Sequence, residues 1–99
     1  MSEHRFSLSV LREPIDPESD VSVRKLARRH VVSAAHKPAL LGSAATTFHG
    51  EAQRWNPEEL FLTSLAQCHL LSFLYVIERD GLGEVECTID AEATLVVEP

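Results

Sequence analysis

Residues 56–77 constrain this chain more than any other stretch. Asn56-Pro57-Glu58-Glu59-Leu60 opens an apolar run from Phe61 to Ile77, with Cys68-His69 in its middle. Asn56 suits an N-cap, because its side-chain oxygen can accept from a backbone N–H one turn in. Pro57 suits the first helical position, where a fixed φ helps and a missing N–H costs nothing. Glu58 and Glu59 fall in the first turn, where carboxylates meet the positive end of the macrodipole. Glu59 also stands three residues past the cap, the capping-box place for a carboxylate. Gly81 and Gly83 are stop signals after Asp80. The spacing predicts a helix from Pro57 to Asp80, about 24 residues and ~36 Å long. Apolar residues at 60, 61, 65, 66, 70, 71, 73, 74, 76 and 77 cover much of its circumference. A helix that apolar is expected to be central and buried on more than one side.

The same run is interrupted by Thr63, Ser64, Gln67, His69 and Ser72. That places it below the length and purity expected of a membrane span. The first ten residues alternate polar and apolar, without the continuous apolar centre of a signal peptide. A cytoplasmic location and no membrane partner are therefore expected. Two cysteines in such a compartment are expected as free or redox-active thiols rather than a structural bridge. Ninety-nine residues set the bound of one domain, spanning 1–99. The formal net charge of −6 argues against nucleic acid as a partner. Arg24, Lys25, Arg28 and Arg29 form a basic cluster within this acidic chain, readable as a solvated strand face or as a source of guanidinium for a site.

The N-terminal part reads as antiparallel strands and loops. Phe6, Leu8 and Val10 alternate with Ser7, Ser9 and Leu11, a short half-buried strand. Pro14 and Pro17 end it in a polar turn. Val21 to Ala35 is strand-like again, with a bend or bulge expected near Arg28 to His30. Residues 36–54 hold Pro38, Gly42 and Gly50 and read as a long loop with at most a very short strand. Loops of that length in a compact domain are often functional. After the helix, Val85, Cys87, Ile89, Ala91, Ala93, Leu95 and Val97 alternate with Glu86, Thr88, Asp90, Glu92 and Thr94. Strict period 2 predicts a long strand with one wet face.

Cys68 is the residue with the most chemical promise, and a buried cysteine filling space is the competing reading. Mid-helix placement gives its thiol no help from a helix N-terminus, so a thiolate there needs a nearby Arg, Lys or protonated His. His69 is adjacent in sequence and does not face Cys68 on a helix. Glu58 lies ten residues earlier, ~15 Å along a straight helix. A shared site therefore needs a bend or a second chain. The histidines and cysteines have no metal-ligand spacing, no nucleophile elbow is present, and no phosphate loop or dinucleotide fingerprint appears.

Four segments together carry a resemblance: Lys37-Pro38-Ala39-Leu40-Leu41-Gly42-Ser43-Ala44, Phe48-His49-Gly50, Arg54-Trp55-Asn56-Pro57-Glu58-Glu59-Leu60 and Ala66-Gln67-Cys68-His69. In these the chain resembles the OsmC/Ohr family of thiol peroxidases, and more closely its OsmC-like branch. The specific element is Asn-Pro-Glu-Glu-Leu followed by a cysteine ten residues after the first glutamate. The resemblance spans most of residues 4 to 96. It implies an α+β fold with N-terminal antiparallel strands, a long central buried helix, then a long strand, in an intertwined homodimer. It implies reduction of organic hydroperoxides in oxidative-stress defence, in the manner of a peroxiredoxin and without a cofactor or metal. Cys68 would be the peroxidatic thiolate, and Glu58 would orient an arginine that polarises it. A lipoyl-type dithiol would be the reductant.

Two departures stand out. Family members are longer, and their resolving cysteine lies on a second helix beyond the point where this sequence stops. Cys87 is on the expected strand instead. Helix and sheet are separated by ~10 Å, whereas a disulfide needs Cα atoms within ~7 Å, so a Cys68–Cys87 bridge is not expected. The family arginine has no clear counterpart. Thr47 occupies the place where one branch carries it, and Arg54, Arg28 and Arg29 are the candidates. Two functions follow. One is a thiol-dependent hydroperoxide reductase built on Cys68 and Glu58. The other is a non-catalytic, truncated OsmC-like domain that dimerises or binds a small ligand.

Overall fold

In the computed structural model, residues 2–98 are described. The protein is a mixed α+β chain with a three-stranded antiparallel sheet and one long helix. It divides into two compact units, residues 1–57 and 58–99.

The first unit holds the sheet. Strands β1 (Ser9–Arg12), β2 (His30–Ser33) and β3 (Leu40–Gly42) lie in the order β1-β2-β3. Both pairings are antiparallel, with Val10 opposite Val32 and Val31 opposite Leu41. Among the described residues no strand pairs with the outer edge of β1. The outer edge of β3 is closed by Trp55, whose N–H donates to Leu41 O at 3.2 Å while Ser43 N–H donates to Trp55 O at 2.8 Å.

Between β1 and β2 the expected strand is interrupted by a single helical turn, α1 (Val23–Leu26). Ser22 caps it, its hydroxyl accepting from Lys25 N–H at 3.3 Å. An N-cap serine satisfies an orphan donor that an extended chain would leave to water. The turn places Leu26 inward, at 4% exposure the one buried apolar side chain among the described residues. Arg24 and Lys25 thus lie on a helical turn, not on a strand face. The chain leaves α1 through a turn at Ala27-Arg28 in place of the bend or bulge expected within a strand, and Glu13 N–H donates to Arg29 O just before β2, continuing the antiparallel pairing.

Residues 36–54 contain the short strand β3 and a 3₁₀ turn, Thr46–Phe48, closed by His49 in the left-handed region at φ 70°. Gly50 follows because nothing larger fits. A Cβ there would stand 1.6 Å from Ala44 O.

The second unit begins with helix α2 (Pro57–Arg79), 23 residues long. It starts at the expected proline, with Glu58 and Glu59 in its first turn. It ends in a Schellman arrangement: Leu82 N–H donates to Ile77 O and Gly81 N–H to Glu78 O, with Gly81 at φ 63°.

Two expectations are corrected here. The helix is not buried: none of its residues is, and Phe61, Leu65, Leu71 and Tyr75 are each more than half exposed. Burial of a helix this apolar requires a covering surface, which the expectation placed at a homodimer interface. The long strand over 85–97 does not form a ladder among the described residues. A strand is defined by a neighbour that satisfies its N–H and C=O groups, and alternation of side chains cannot create that neighbour. By length and composition α2 could cross a bilayer, its best 18-residue window having a mean hydropathy of 1.7. Core helices of soluble proteins reach the same length and hydropathy.

Candidate functional site

Cys68 sits at the middle of α2 with its thiol free and exposed. Helical spacing puts Phe61, Leu65, Leu71 and Tyr75 on the same side of the helix as Cys68, since residues three, four and seven apart share a face. Their exposures of 69, 53, 63 and 63% make this an open apolar stripe around a thiol. Cys87 is also free and is half-buried. No disulfide joins the two.

Glu58 lies exposed in the first turn of the same unbroken helix. The helix runs without a break from Pro57 to Arg79, so at its rise per residue Glu58 and Cys68 stand about three turns, ~15 Å, apart. They are on one element without being brought together.

The three candidate arginines are in the first unit, each with a defined partner. Arg29 grips Glu51 through two parallel bonds, Nε to Oε2 at 2.6 Å and Nη2 to Oε1 at 2.8 Å. Such fork-to-fork pairs are the strongest and most directional ion pairs available to side chains. The Arg29 bond holds the Glu51 carboxyl below its usual value, against desolvation that pushes it up, with the charges of Arg29, Arg54 and Lys25 assisting. The same bond raises the Arg29 guanidinium. Arg54 reaches Glu13 in a second fork, at 3.0 and 3.3 Å, and its Nη1 also donates to the carbonyls of His30 and Gly42 at 3.4 Å. It therefore ties the loop after β1 to facing ends of β2 and β3. Arg28 donates from Nη1 to Arg24 O at 3.0 Å and has no carboxylate partner among the described residues.

Glu13 and Glu51 were not marked by the sequence, because their partners lie 41 and 22 positions away. Ser43 was missed as well. It is fully buried, and its hydroxyl accepts from Glu51 N–H at 3.2 Å, setting the backbone from which Glu51 meets Arg29. Among the described residues no cluster of three His, Cys, Asp or Glu side chains is arranged to hold a metal ion.

Compared with family models, with curated proteins and with solved structures, the chain gives no match in any of the three.

Proposed function

We propose that the chain reduces organic hydroperoxides at Cys68 with a lipoyl-type dithiol as reductant, acting as a cytoplasmic homodimer of the OsmC/Ohr kind. The observation that carries this is an exposed free thiol amid an open apolar stripe, on a helix whose Asn-Pro-Glu-Glu-Leu start resembles that family. An apolar surface beside the thiol suits an alkyl or aryl peroxide better than hydrogen peroxide.

The Cys68 thiolate attacks the distal peroxide oxygen. An S–O bond forms as the O–O bond breaks, and the alkoxide leaves with a proton as the alcohol. The resulting sulfenic acid is attacked by one thiol of the dithiol, expelling water. The second thiol then breaks the mixed disulfide, returning Cys68 and leaving the reductant as a disulfide. No second cysteine of this chain is required. Thiolate formation mid-helix calls for a cation. Arg28 is the best of the three candidates, because Arg29 and Arg54 already hold carboxylates. Glu58 would orient that guanidinium, and the ~15 Å gap along α2 favours a contact made by a second copy of the chain.

The two engaged arginines also favour the second reading, a non-catalytic dimerisation or ligand-binding domain. Cumene hydroperoxide consumption with dihydrolipoamide separates the two. The enzyme predicts turnover by the unaltered chain that is lost in Cys68→Ser and strongly reduced in Glu58→Gln. Equal, slow consumption by the unaltered chain and Cys68→Ser would reject it.

A further inference from the structure

We infer that the first unit carries a binding site for an amphiphilic carboxylate, in a groove lined by Arg5, Phe6, Leu8, Val32, Lys37 and Pro38. The groove encloses about 470 Å³. It continues into a second hollow of about 340 Å³ that shares Ser7, Leu8 and Ser33 with it. Sites for small ligands fall in this size range, with apolar walls and a few placed polar groups. All lining residues belong to the β1–β2–β3 unit and its flanks, so the site is independent of the thiol chemistry.

Charge complementarity selects the ligand. Two cations line the groove and no acidic side chain does. Neither Arg5 nor Lys37 has an ion-pair or hydrogen-bond partner for its side chain among the described residues. Arg29 and Arg54 of this unit each hold a carboxylate, whereas Arg5 and Lys37 share a groove with apolar side chains and no acid. A guanidinium fork and an ammonium together suit a carboxylate head. The exposed Phe6 and Leu8 side chains, at 94 and 64%, supply the surface that a hydrocarbon tail would cover. Ser7 and Ser33 add hydroxyls to the lining.

Titration calorimetry of the full chain with decanoate and with decanol at low salt tests this. Decanoate should bind saturably, about tenfold or more tighter than decanol, the difference that a charge-assisted hydrogen bond makes. Added salt should weaken decanoate alone. Lys37→Glu should remove that preference and leave decanol unchanged, while Phe6→Ser should weaken both ligands. Equal affinity for decanoate and decanol would overturn the proposal, leaving only an apolar patch. No saturable decanoate binding, with self-association abolished by Phe6→Asp, would overturn it too, by showing a second copy in the groove.

Discussion

Arg29 and Glu51 face one another across 22 residues of sequence in a two-bond fork of 2.6 and 2.8 Å. The fork joins the start of β2 to the loop that follows the 3₁₀ turn. Its pH dependence has a definite sign. The folded-state value of Glu51 is depressed, so its contribution is fully present above the ordinary carboxylate value of 4.5 and is lost as pH falls through the folded value. Arg29 is raised and stays charged throughout the accessible range. Glu51→Gln should therefore lower the urea midpoint at pH 7, and the gap from the unaltered chain should narrow as pH falls below the ordinary carboxylate value and through the depressed folded one. A gap that persists at acid pH would assign the loss to packing.

Arg54 holds Glu13 and two strand-end carbonyls with a side chain only 14% exposed. Arg54→Ala strands those acceptors, a loss of roughly 1–3 kcal/mol. Arg54→Lys should recover only part of it, because an ammonium cannot reproduce the fork. Denaturant unfolding of both variants checks the order.

Two glycines separate crowding from backbone conformation. At Gly50 an added methyl meets the Ala44 carbonyl, so Gly50→Ala should destabilise by about 1–3 kcal/mol or more through overpacking. At Gly81 the space is open and φ is 63°, so Gly81→Ala should cost about 1–2 kcal/mol from the left-handed conformation alone. Thermal unfolding should show the Gly50 variant more damaged.

Leu71 is 63% exposed on the side of α2 that carries Cys68. In a lone chain Leu71→Glu should change stability by no more than about 0.5 kcal/mol, the usual range for a surface position. In a dimer that uses this stripe it should abolish self-association. Sedimentation equilibrium distinguishes the two.

What the sequence made legible was punctuation and local period. Asn56-Pro57 and Gly81 bracket α2 to within a residue, because caps and stops act over one turn. The alternation Phe6-Leu8-Val10 and the pair Val31-Val32 marked the neighbourhoods of β1 and β2, whose ranges are Ser9–Arg12 and His30–Ser33. Val21, Val23 and Leu26 misled, since three apolar residues spaced by two and three fit a strand with a slip as well as a helical turn. Ser22 was the available signal for the turn. Val85 to Val97 had the right pattern and no partner, because the pattern specifies a face and leaves the neighbour open. The Arg29–Glu51 and Arg54–Glu13 forks were beyond reach for the same reason: nothing local to either arginine marks which distant carboxylate it will meet. Cys68 and Glu58 were legible as residues. Their separation along one helix was legible too, and the unbroken α2 keeps it.

Ser43, with no exposed surface, and Leu26 mark how the first unit is built. Its interior is organised by backbone and carboxylate hydrogen bonds rather than by apolar volume. The heat capacity released on unfolding scales with apolar area newly wetted, and polar area subtracts from it. The isolated chain should then unfold with a heat-capacity step well below that of an ordinary domain of its length, and its stability should vary little with temperature. Covering the α2 stripe would restore both the step and the curvature, so a calorimeter would register assembly as a change in the shape of the melt as well as in its midpoint.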